Sequence, residues 1–159
     1  MHLDLIKILH NTLFGGLAAM GFGVLFNIGL RSILWCSVSG GLALAVRTVG
    51  LQLGWSLEAA SFTAAVAVGS LVQMTQERIG MSRNILDVAG CIPLVPGGFA
   101  AKAILGMIAL TAPVPKNPDQ TLILSVEYLL RVFFTVGALG TGLAIPTLLL
   151  RVLAPKPQH

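Results

Sequence analysis

Apolar positions along the chain gather into five long blocks, at about 5–26, 33–49, 57–74, 84–110 and 122–152. Each block is near or above the roughly 20 residues a helix needs to cross a bilayer. The polar connections between them are short, at 27–32, 50–56, 75–83 and 112–120. The last holds a Pro-rich turn, Pro113-Val114-Pro115-Lys116-Asn117-Pro118. The fifth block is long enough to tilt or bend, with Pro146 as a candidate kink. The pattern predicts an all-α integral membrane protein, a single membrane domain over 1–159 with about five transmembrane helices. Asp4 denies the first block a positive leading region, and no cleavage pattern follows, so the block reads as a span and not a leader.

The fourth block is interrupted by Ile92-Pro93-Leu94-Val95-Pro96-Gly97-Gly98. Pro93 and Pro96 each lack a backbone donor, and Gly97 and Gly98 relax the backbone, so this helix is predicted to be broken between Pro93 and Gly98. A break at membrane depth must be covered by protein or by a polar cavity. It also places a helix N-terminus, with unpaired N–H groups and a positive dipole end, inside the membrane. Lys102 follows four residues after Gly98. Pro93, Pro96, Gly97, Gly98 and Lys102 together suggest a seat for a carboxylate. The plainer alternative is a kink with a snorkelling lysine.

Composition narrows the picture further. The chain has 159 residues, is 55% hydrophobic and only 10% charged, with a mean hydropathy of +0.88. Soluble domains carry about 25% charged residues, so little of this protein is expected outside lipid. The net charge of +4 then reports loop topology. No basic cluster with interleaved aromatics points to nucleic acid. Cys36 and Cys91 fall in apolar blocks and read as small hydrophobes. His2, His10 and His159 lie near the ends, with no metal-ligand spacing. No nucleophile elbow, phosphate loop or zinc-binding helix appears, and no acid pair sits at catalytic spacing; neither an enzyme nor a cofactor site is expected.

Five spans would put the termini on opposite sides. The N-terminal side holds three basic residues, Lys7, Arg47 and Lys116; the other holds five, Arg31, Arg78, Arg83, Arg151 and Lys156. That bias predicts Met1 outside and His159 in the cytoplasm. A re-entrant fourth block would change the number of crossings and remove this argument.

Small residues recur every four positions: Gly15, Ala19, Gly23; Ser37, Gly41, Ala45; Ser61, Ala65, Gly69; and Ala138, Gly142. Four-residue spacing shares a helix face, and small side chains let helices approach closely in lipid. The stripes predict a tight bundle that associates with another membrane subunit or with a second copy of itself. Gly98, Lys102 and Gly106 continue the spacing, which puts Lys102 on a predicted close-packing face. Glu127 and Arg131 are also four apart, and Thr135 extends their stripe. They read as a self-neutralising pair or as a gating or coupling pair beside a substrate path. Arg83 and Asp87 share that spacing closer to a loop, and Arg47 reads as interfacial at the end of the second block.

The ordered features now resemble a known family. Phe26-Asn27-Ile28-Gly29-Leu30-Arg31, then Trp35-Cys36, Gly40-Gly41 and Arg47, resembles the opening pattern of the small half of the threonine/serine exporter family. Asn27, Arg31 and Arg47 are its polar members. Trp55, Ser61-Phe62 and Gly69 resemble its third segment, and the Pro-Gly stretch with Lys102 resembles its proline-glycine motif. The likeness covers about 20–150; Gly29 departs from it, standing where proline is expected. The resemblance implies a secondary exporter of the bacterial inner membrane. Some members are one chain with two membrane halves. Others are split into a larger subunit, with an extra cytoplasmic domain, and a small subunit of about this size, the type that includes a succinate exporter. It therefore implies a larger membrane subunit as partner and a small carboxylate as substrate, threonine/serine or a succinate-type dicarboxylate. The competing expectation is a non-transporting membrane scaffold that stabilises such a partner.

Overall fold

A computed structural model describes residues 4–79, 83–111 and 117–153. Its helices are α1 (Leu5–Leu25), α2 (Leu30–Gln52), α3 (Leu57–Ile79), α4 (Arg83–Cys91), a short 3-10 turn (Ile92–Leu94), α5 (Gly97–Leu110) and α6 (Pro118–Leu153). No strand occurs among the described residues. α1, α2, α3 and α6 are each long and apolar enough to cross a membrane, and α4 with α5 are a bent pair that together pass the same test, as a broken fifth span or a re-entrant loop. The all-α architecture with its interrupted fourth span is as the hydrophobic pattern predicts. The boundaries differ. α2 begins at Leu30 and runs on to Gln52, α3 continues to Ile79, and α6 starts at Pro118, which is suited to a first helical turn because its missing N–H would be unpaired there anyway. The rest of the Pro-rich turn, 113–116, lies outside the described residues, as does Lys156. The helix continues through Pro146.

The turns have specific causes. After α1, Asn27 adopts φ +53°, its N–H bonds to the Val24 carbonyl at 2.9 Å, and the Ile28 N–H bonds to the Gly23 carbonyl at 3.1 Å. This paired closure satisfies the last carbonyls of the helix and needs a left-handed residue, which asparagine tolerates. Asn27 is thus a helix stop. Gly29 then enters α2 at φ −59°, a value that proline would also take. α2 ends the same way: Gly54 stands at φ +83°, its N–H reaches the Leu51 carbonyl at 3.1 Å, and the Trp55 N–H reaches the Gly50 carbonyl at 3.0 Å. Asp4 caps α1 through the Lys7 N–H at 3.2 Å, and its own N–H donates to Gln52 Oε1 at 3.0 Å, joining the start of α1 to the end of α2.

Residues 1–94 with 138–159 form one compact unit, and Val95–Gly137 form another. In the first, the core is built of small side chains: Cys36, Ala43, Ala64, Ala65, Val68, Val72 and Ala89, closed by Leu94 and Leu139. Lipid supplies no hydrophobic drive between helices, so close contact between small surfaces holds them. The stripe Gly15, Ala19, Gly23 is buried on α1. A Cβ added at Gly15 would stand 2.7 Å from the Gly40 carbonyl oxygen, so only glycine fits this crossing of α1 and α2. Asn11 Nδ2 donates to Thr48 Oγ1 across the same pair at 3.0 Å. Ser61, Ala65 and Gly69 are all buried on α3. There Gly142 of α6 comes so close that a Cβ would meet the Phe62 carbonyl oxygen and the Ala65 methyl at 2.8 Å. Two of the predicted stripes therefore meet each other.

Candidate functional site

The break is a short sequence of local events. Cys91 ends α4, Ile92–Leu94 tighten into a 3-10 turn, and Pro96 caps α5 with no side-chain hydrogen bond. Pro93 is half-buried and Pro96 buried, while Gly97 and Gly98 are exposed, with open space where a Cβ would stand. A helix start normally leaves several N–H groups free. Here the Gly97 N–H bonds to the Val95 carbonyl at 2.8 Å, and the Phe99 and Ala100 N–H groups share the Pro96 carbonyl at 3.1 and 3.2 Å. Within the first turn this leaves the Gly98 N–H without a partner among the described residues. The expected N-terminal anion cradle is thus reduced to one donor, because Pro96 has no N–H and the Gly97 and Phe99 N–H groups are bonded to the Val95 and Pro96 carbonyls.

The other half of the break is held by a residue placed elsewhere by the sequence. Arg47 lies inside α2, five residues short of its end at Gln52, and is half-buried. Its Nη1 donates to the Leu94 carbonyl oxygen at 2.8 Å. In an unbroken helix that carbonyl would accept from residue 98. Arg47 thus has a specific partner in the break. It satisfies a backbone acceptor that the break has freed, as irregular backbone at membrane depth requires.

In the second unit, α5 and the start of α6 bring together a cluster of rings and charges. Lys102 Nζ stands 5.9 Å from the Phe99 ring centre and 5.6 Å from that of Tyr128. The two rings lie 5.7 Å apart. Arg131 Cζ is 5.9 Å from the Phe99 ring, and Arg131 Nη2 pairs with Glu127 Oε1 at 3.1 Å. The side chains of Arg131 and Glu127 keep 43% and 48% of their surface. Lys102 has no carboxylate partner among the described residues. Two cations and one carboxylate leave one positive charge in excess.

The predicted close-packing face for Lys102 is not what forms. Gly98 has nothing beside it, Lys102 is exposed, and within that trio only Gly106 is filled, by the Ser125 hydroxyl. Ala103, one position on, is the buried residue of α5. Four-residue spacing places residues on a common face but does not decide which face a neighbour covers. Thr135 is fully buried and its Oγ1 has no hydrogen-bond partner among the described residues. Arg31 is the second residue of α2, and its side chain lies outside the described part, as does that of Arg83; Asp87 is buried on α4. Phe99 and Tyr128 were missed by sequence reasoning. The signal was available in part: Phe99 is three residues before Lys102, and Tyr128 three before Arg131, so each pair shares a helix face.

The chain belongs to the threonine/serine exporter family: the family model described as Threonine/Serine exporter, ThrE, matches residues 11–149. A Haemophilus influenzae protein of uncharacterised function is 28% identical over 145 residues, covering 91% of this chain and 48% of that protein. The chain thus spans about half the length of that relative. No solved structure matches it. With several apolar spans and this family, it is a multi-pass membrane protein.

Proposed function

We propose that the chain is the small membrane subunit of a two-component secondary exporter that moves small carboxylates, threonine/serine or a succinate-type dicarboxylate, across the bacterial inner membrane. It acts as one membrane domain, with Met1 outside and His159 in the cytoplasm. The observation that carries this reading is Lys102, a cation on an apolar helix that faces no carboxylate among the described residues and is flanked by Phe99 and Tyr128. A charge on a transmembrane segment is costly and tends to mark a substrate or ion path. The flanking rings hold the ammonium by its attraction to their faces and leave its outer side for an anion. The single excess charge of the cluster favours a substrate that brings one net negative group to it, or one carboxylate of a larger molecule. Pro93, Pro96 and Gly97 make the break, which leaves the Gly98 N–H next to it in sequence, and Glu127 with Arg131 form a pair that can trade partners as an anion passes.

Efflux measured in cells loaded with threonine or with succinate, with this chain alone and with a co-expressed larger family member, tests the proposal. Efflux only from the pair is expected. Full efflux from this chain alone would remove the two-component reading; no efflux from either, with both proteins inserted, would favour the scaffold.

A further inference from the structure

The carboxylate seat proposed at Lys102 makes no use of Arg47. Its guanidinium carries five N–H donors in a planar fork suited to a carboxylate. Among the described residues one acceptor is present, the neutral Leu94 carbonyl, and no carboxylate lies within ion-pair distance. The carboxylate on the same arm, Asp87, stands seven residues before Leu94, about 10 Å along a helix. Leu94 is fully buried, and Val95, the next residue, is exposed. One half-buried cation thus fastens the point at which the span breaks, with most of its donors unspent. A charge-assisted, two-pronged bond to a carboxylate is stronger than a single bond to a backbone carbonyl, so a carboxylate that takes the edge of the guanidinium bearing Nη1 can displace Leu94 from it.

We infer that Arg47 is an anion-responsive latch on the broken span. At rest it holds the Leu94 carbonyl; a small carboxylate takes that place, and the released carbonyl lets the 3-10 turn rearrange. The inference rests on the exporter reading for the identity of the anion, but it concerns a different residue and a different readout.

The full chain in membranes, with Val95→Cys as reporter and Cys36→Ala and Cys91→Ala removing the native thiols, is labelled with N-ethylmaleimide in threonine, succinate or sodium chloride. Faster labelling in a carboxylate than in chloride is expected, by about fivefold if the coupling is at the low end of its usual range. Arg47→Gln retains an N–H for Leu94 but no charge, and should insert and label at a rate indifferent to carboxylate. Arg47→Lys retains charge without the fork and should respond weakly. A carboxylate response undiminished in Arg47→Gln, or no response in the parent, overturns the latch. If Arg47→Gln fails to insert, Arg47→Lys decides: a full response overturns the latch, and a weakened one supports it. Efflux measured on the same membranes separates the two ideas. In membranes that also hold a larger family member, efflux without a labelling response sinks the latch alone, and a labelling response without efflux sinks the exporter reading alone.

Discussion

Replacing Lys102 by methionine separates a carboxylate seat from a bystander charge, because the two effects of the change have opposite signs. On the folding side, the variant forfeits two cation–ring contacts, at 5.6 and 5.9 Å, worth about 0.5–1 kcal/mol each at exposed sites. It also removes a charge whose insertion at a helix centre costs about 2.5–3.5 kcal/mol. The second term is larger, so membrane yield should be unchanged or improved. On the transport side, the variant leaves a substrate carboxylate without its cation. Lys102 is exposed in this chain, so the full penalty for breaking a buried ion pair does not apply. A hydrogen bond to a charged group, about 1.5–3 kcal/mol, is the fitting magnitude. That is a loss of roughly one to two decades in apparent affinity. Efflux of threonine and of succinate and membrane yield should be measured on the same samples across a range of internal substrate. Lys102→Arg serves as the control that keeps charge. Gly98 beside it is open, so the larger head finds room, and transport should largely persist. Normal apparent affinity in the methionine variant would refute the assignment of Lys102 as the anion's partner.

Other perturbations test separate links. Gly142→Val forces a branched side chain into the Phe62 carbonyl and the Ala65 methyl, and should destabilise the contact of α6 with α3 by about 1–3 kcal/mol, read as a lower melting temperature in detergent. Glu127→Gln removes a pair of the kind worth only about 0.3–0.5 kcal/mol, so stability should hold. It also raises the excess charge of the cluster, so efflux should shift toward the dicarboxylate over threonine; an unchanged ratio would show that Glu127 does not face the substrate. Reporter fusions after Lys116 and at the C-terminus should fall on opposite sides of the membrane, the second in the cytoplasm, if α6 crosses as its apolar length implies.

The spans and the break were legible because each rests on a local rule. Apolar length dictates a crossing, and Pro93 with Pro96 removes donors that no neighbour can restore. The stops at Asn27 and Gly54 are also local, since both closures need only a residue that tolerates positive φ. What was not legible depends on which surfaces meet. The spacing of Gly98, Lys102 and Gly106 matches that of Ser61, Ala65 and Gly69, yet α3 is covered along its stripe and α5 is not. Arg47 and Leu94 are 47 positions apart, and nothing in either neighbourhood names the other.

The division of labour between the two cations follows from that difference. A break in a span creates an acceptor without a donor, and it does so wherever the prolines stand, so some polar group must come to it from another helix. Arg47 can serve because its long side chain on α2 reaches the Leu94 carbonyl. Lys102 cannot share that task, because its contacts are the rings of its own unit, Phe99 and Tyr128. One cation is therefore committed to the backbone until something displaces it, and the other faces outward from the start. Of the two, Lys102 should set how tightly a carboxylate is held, and Arg47 whether the break stays fastened.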